Sequence, residues 1–244
     1  MPRLSIFLLA ALVFAIVLIV RLPAAWVLPA LHRELTCAAS AGSIWDGECR
    51  GAEVRGVALD ELRWHIHPLR LLHGRLAAQL SATRGAASAS GELSVGWSGA
   101  LRARTLRARV PLEPALLPIV PPYLSGLLEA DVAQIDVARD GAIEQLQGEI
   151  TVRDLVDSSG AHTPLGSFAA RFPARTGSPV GELRDLGGPL WLRGTLRLTG
   201  EPGYRLRARV STRPGAAPSL VRALQYLGAP DAEGRRPFAL AGTY

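Results

Sequence analysis

Apolar and polar residues alternate with a period of two along most of this chain, after one unbroken apolar run near its start. Leu62, Trp64 and Ile66 alternate with Arg63, His65 and His67, and Leu76, Ala78, Leu80 and Ala82 resume the row after Pro68 and Gly74. Leu93, Val95 and Trp97 form another face. Leu106, Ala108 and Val110 alternate with Arg107 and Arg109, and Leu146, Gly148, Ile150 and Val152 follow. Successive strand side chains point to opposite faces, so these rows predict half-buried antiparallel strands. The clearest hairpin is Leu192–Val210. Leu192, Leu196, Leu198, Tyr204, Leu206, Ala208 and Val210 share one face, and Gly200-Glu201-Pro202-Gly203 makes the turn.

Other elements are sparser. Ser219 is placed to cap a helix over Leu220–Leu227, ended by Gly228. A glycine followed two residues later by Leu or Ile recurs at Gly74, Gly91, Gly126, Gly148 and Gly194, each read as opening a strand at a bulge or corner. Residues 156–189, rich in Gly, Ser and Pro, read as a long loop, and Arg235–Tyr244 reads as a final strand with Phe238 and Leu240 inward. The proline-rich stretch 111–123 marks a sub-boundary between two sheet halves. The expected fold class is mainly β: one N-terminal transmembrane helix, then an antiparallel, bent or coiled β-sheet domain with one or two short helices.

The apolar run, Leu4 to Val20, is uncharged throughout. At about 1.5 Å per residue its seventeen residues span roughly 25 Å, and Arg21 can snorkel to extend it. With Trp26 at the interface, residues 4–22 are read as an uncleaved anchor; a cleaved signal peptide is the rival. The organisation expected is residues 1–3 in the cytoplasm, anchor 4–22, membrane-proximal linker 23–41 and an exported β-rich domain over 42–244.

Composition narrows the function. Of 244 residues 48% are hydrophobic, enough for one large all-β domain or two small ones. All 27 basic residues are Arg against 21 acidic ones, a net charge of +6. The absence of Lys and Asn fits a GC-rich genome. The arginines are spread along the chain with Asp and Glu between them, which excludes nucleic acid as the partner. Arg197, Arg205, Arg207 and Arg209 form one row on the outer face of the predicted hairpin. It reads either as a solvated face that discourages edge pairing or as a docking face for an acidic partner or lipid headgroups.

Cys37 and Cys49 are the only cysteines, an even pair just beyond a membrane span, and this points to a disulfide in an oxidising compartment, with two free thiols as the rival. His65 and His67 share the solvent side of one strand with no third ligand at a fixed offset, so no metal is assigned. No nucleophile elbow, phosphate loop or dinucleotide motif is present, and the chain reads as a non-enzyme without a cofactor.

Two segments carry a resemblance. Gly42-Ser43-Ile44-Trp45-Asp46-Gly47, then Leu62-x-Trp64, Pro68, Leu71-Leu72 and Gly74-x-Leu76, resemble the start of the exported domain in the type II secretion system protein N family, the N component of the general secretion pathway. The tail from Leu227-Gly228 to Gly242 is similar to that family's ending. The resemblance implies a bacterial inner-membrane protein with one span and a periplasmic β-domain. It also implies partners among the inner-membrane platform subunits and the outer-membrane secretin. It transfers no catalytic residue and no small-molecule ligand. Similar tryptophan–proline–glycine patterns occur in envelope lipid-handling proteins of the AsmA type, which keeps lipid transport as the alternative.

Overall fold

The structure, a computed structural model, describes residues 21–24, 35–54, 56–71, 74–114, 116, 120–160, 162–174, 177, 179–199 and 203–243. Apart from Arg21 and Leu22, the predicted anchor lies outside these residues, as do Trp26 and the Gly200–Pro202 part of the hairpin turn. No helix among the described residues is long and apolar enough to cross a membrane. The chain is mainly β, with thirteen strands and two short helices among the described residues. It falls into two compact units, Met1–Gly85 and Ala86–Tyr244.

The first unit holds β1 (Leu35–Gly42), β2 (Asp46–Val54), β3 (Val57–Ile66), helix α1 (Pro68–Leu71) and β4 (Arg75–Arg84). The strands pair antiparallel in chain order. Strand β1 lies almost wholly in the stretch read as a linker, yet it pairs with β2 from Leu35↔Val54 to Gly42↔Gly47. Its residues, Leu-Thr-Cys-Ala-Ala-Ser-Ala-Gly, are too small and uniform to show a period of two. The buried apolar residues among those described in this unit, Ala24, Cys49, Ala52 and Ala77, are all small.

The second unit holds β5 (Ala87–Gly96), β6 (Leu101–Pro111), β7 (Leu124–Val137), β8 (Ile143–Asp157), β9 (Thr163–Phe172), β10 (Val180–Asp185), β11 (Leu190–Thr199), β12 (Gly203–Thr212), helix α2 (Pro218–Gln225) and β13 (Arg236–Thr243). Each strand pairs antiparallel with its chain neighbours. The stretch 111–123 connects β6 to β7, which pair along their length within this unit. Strands β9 and β10 occupy the region read as a long loop. Glycine and alanine at Gly166, Ala169, Ala170 and Gly181 hide their alternation, and crowding explains such small residues. A Cβ on Gly181 would sit 2.7 Å from the Phe172 ring.

Of the recurring glycines only Gly74 precedes its strand; Gly91, Gly126, Gly148 and Gly194 lie inside β5, β7, β8 and β11. Pairing slips at Gly91 and at Gly126, so these two are bulge glycines, although not at strand entries. At Gly148, φ is +151° and a Cβ would stand 2.5 Å from the Asp131 carbonyl oxygen. The backbones of β7 and β8 thus close on each other where a side chain would hold them apart. The core of this unit is Val132, Leu146, Ala170, Phe172 and Leu198, with Leu106, Ile135, Ile150 and Leu196 packed against it. Helix α2 begins two residues earlier than its serine suggests: Ala217 is the N-cap, and proline at the first helical position suits Pro218. Ser219 therefore lies inside the first turn, its hydroxyl 3.1 Å from that of Thr163.

A candidate docking surface

The segment Gly42–Gly47 is a hairpin turn between β1 and β2. Ser43 N–H donates to the Asp46 carbonyl at 2.8 Å. The Ser43 hydroxyl oxygen accepts from the backbone N–H of Trp45 (3.2 Å) and of Asp46 (3.1 Å). Gly42 adopts φ +86°, and a Cβ there would collide with the Asp46 carbonyl oxygen. Gly47 is opposite Trp64 across β2–β3, and a Cβ on it would lie 2.5 Å from the indole Cζ2. The indole Nε1–H donates to the Ile44 carbonyl at 3.1 Å, and Ile66 N–H donates to the Trp45 carbonyl at 2.6 Å. Trp64 therefore locks the turn from the neighbouring strand. Pro68 opens α1, and Gly74, at φ +71°, donates its N–H to the Leu71 carbonyl at 3.0 Å to close the helix. The Cys37 and Cys49 sulfurs are bonded at 2.05 Å, tying β1 to β2. Five of the six residues of the sequence motif are thus turn, cap and packing devices, and the sixth, Trp45, joins the turn through its backbone.

Beside this lock, Trp45, Leu62, Trp64, Ile66, Leu76 and Leu80 line an apolar groove of about 430 Å³ within the first unit. On the opposite side of β3, the His65 and His67 rings meet edge to face at 4.9 Å, and His65 Nδ1 is 3.3 Å from the Asp46 carboxylate. Among the described residues no group of three or more His, Cys, Asp or Glu side chains is arranged to hold a metal.

The second unit carries a charged outer face whose pattern follows from register. Across six consecutive strands, Arg107 is opposite Asp131, Asp131 opposite Glu149, Glu149 opposite Arg171, and Arg171 opposite Glu182; Glu182 is opposite Thr195. Acid and base also meet in pairs there. Arg153 Nε donates to Glu129 at 2.5 Å and holds its carboxyl below the usual carboxylate range. Arg102 is bonded to Asp136 at 2.6 Å, and Arg213 to Asp185 at 2.5 Å.

The balance ends at β11 and β12. Arg197 is opposite Arg205 and Arg193 is opposite Arg209. The four arginines singled out in the sequence share one exposed face, and register adds Arg193 to them. The periodicity of β11 already showed Arg193 on that side, but only the pairing places it against Arg209. Arg209 bonds Asp231 at 2.5 Å, a partner from the loop before β13. Among the described residues, Arg193, Arg197, Arg205 and Arg207 have no ion-pair partner. Like charges directly opposite on a sheet are destabilising, so these oppositions cost the pairing of β11 with β12 some stability.

A family model described as "Type II secretion system (T2SS), protein N" matches residues 33–239. The chain is similar to the Type II secretion system protein N of Aeromonas hydrophila, at 27% identity over 249 residues, 98% of this chain and 96% of that relative. It is also similar to the protein of the same description from Vibrio cholerae serotype O1, at 28% identity over 211 residues, 82% of each chain. No solved structure matches the chain.

Proposed function

We propose a non-enzymatic, inner-membrane role in protein secretion for this chain, which belongs to the type II secretion system protein N family. In this reading residues 4–22 anchor the chain once in the bacterial inner membrane. The β-rich bulk stands in the periplasm and supports export of folded exoproteins across the outer membrane. Its partners are inner-membrane platform subunits of the machine and the outer-membrane secretin.

One observation carries the reading: the match to this family runs through nearly the whole chain and nearly the whole of a relative. Two further facts support it. The motif residues Gly42, Gly47, Trp64, Pro68 and Gly74 shape the first turn and the short helix of the β-domain, as a family-wide structural motif would. The Cys37–Cys49 bond suits an oxidising compartment such as the periplasm. Neither relative is described as a lipid-handling protein, so the lipid-transport alternative gains nothing from the comparisons.

Deletion of the gene in its native host tests the role. Folded exoproteins should accumulate in the periplasm and return to the medium on complementation. Normal secretion in the deletion strain would overturn the proposal. Affinity isolation of the tagged chain from membranes should then recover platform subunits or the secretin.

A further inference from the structure

We propose that the outer edge of β13 takes up an extended segment of a partner protein in which acidic and apolar residues alternate. The inference rests on the secretion reading only for where that partner is to be sought. Among the described residues strand β13 is the last in the sheet order and pairs only with β12. Its outer side therefore presents unpaired backbone N–H and C=O groups, a template for another strand. Native sheets guard such edges with charge or proline on the edge strand itself. Here Arg236 and Pro237 stand only at its beginning, followed by Phe-Ala-Leu-Ala-Gly-Thr. Ala239, Leu240 and Ala241 are exposed, and Leu240 retains 48% of its surface although it faces the apolar side opposite Leu206.

The chemistry of the incoming segment follows from the two faces of this edge. Arg205 is opposite Ala241, and Arg207 is opposite Ala239. The alanines leave the space beyond them open on the arginine face. A residue of an added strand there would lie two strand spacings from the arginines, roughly 9.5 Å, a gap that an extended Arg and an extended Glu bridge together. The arginines lack acidic partners among the described residues, and the Arg197–Arg205 opposition adds a repulsion that an incoming carboxylate would relieve. On the other face, residues alternating with the acids would extend the row Phe238 and Leu240 and cover the exposed part of Leu240. Acid on one side and apolar on the other is a strand pattern with period two.

The test uses the full chain in detergent and a short fluorescent peptide alternating glutamate and valine, read by fluorescence anisotropy. Saturable binding that weakens with added salt is expected. The same peptide N-methylated at alternate residues cannot pair with an edge and should not bind. Arg205→Glu with Arg207→Glu should weaken binding at least about tenfold, and Arg205→Gln with Arg207→Gln should weaken it less. Equal binding of the N-methylated peptide, equal binding by the glutamate variant with its fold intact by circular dichroism, or no saturation up to about a millimolar peptide would each overturn the proposal. The two readings fail separately. Blocked secretion on deletion together with absent peptide binding defeats only the docking edge, and normal secretion with intact binding defeats only the secretion role.

Discussion

Gly47 carries no side chain because the Trp64 indole occupies the space where one would stand. A methyl there overpacks the turn, so Gly47→Ala should destabilise the chain by about 1–3 kcal/mol. Trp64→Leu removes both the indole packing and its bond to the Ile44 carbonyl. It should cost a similar amount, through a half-buried aromatic and one hydrogen bond. The two changes share one contact, so the double variant should be more stable than the sum of the single losses implies, which denaturant unfolding of all four forms measures. Strict additivity would mean the indole and the turn are independent. The motif residues are conspicuous in the sequence, but their purpose is not. Gly47 meets Trp64 only through the β2–β3 register, which no local spacing encodes.

Strands show in the sequence where large apolar residues alternate with arginine, as in β3, β6, β11 and β12. They vanish where glycine, alanine and serine crowd both faces, as in β1 and β9. The reason is physical: close approach of neighbouring groups selects small residues, as at Gly166 and Gly181, and small residues erase the periodic signal. Ion pairs between strands are equally invisible until register is known, and Arg102 with Asp136 is the most buried case across β6 and β7. Burial pushes the Asp136 carboxyl up, but bonds from Arg102 and Gln134 outweigh it and hold the carboxyl below its ordinary value. A depressed folded value gives a stabilisation that is present above the unfolded carboxylate value of about 4 and is lost as pH falls through the folded one. Thermal melts should therefore show the chain losing stability on acidification below about pH 4. Asp136→Asn should be less stable at neutral pH by about 1 kcal/mol, since Arg102 is partly solvated, and should show a flatter acid limb. An equally steep limb in the variant would place the dependence on other carboxyls.

The two units hold themselves together by different means. The second buries Val132, Leu146, Phe172 and Leu198 in one cluster. Among the described residues the first unit buries only small side chains, while Leu62, Trp64, Ile66 and Leu80 stay half-exposed along the groove. A small unit with so little apolar burial needs a covalent brace. The Cys37–Cys49 bond, with a sequence separation of 12, is that brace, and closing such a loop contributes about 3 kcal/mol. Reduction should therefore act locally. In hydrogen exchange on the full chain, a reductant should release protection in β1 to β3, where the lost brace is a large share of unit stability, and leave β7 to β9 protected by their core. Cys37→Ser with Cys49→Ser should reproduce that pattern without reductant. If β7 to β9 lose protection in step with β1 to β3, the chain opens as one cooperative whole and the disulfide braces both units. If neither region changes, the Trp64 lock and the strand pairing suffice for the first unit, and the bond contributes far less than the loop entropy suggests.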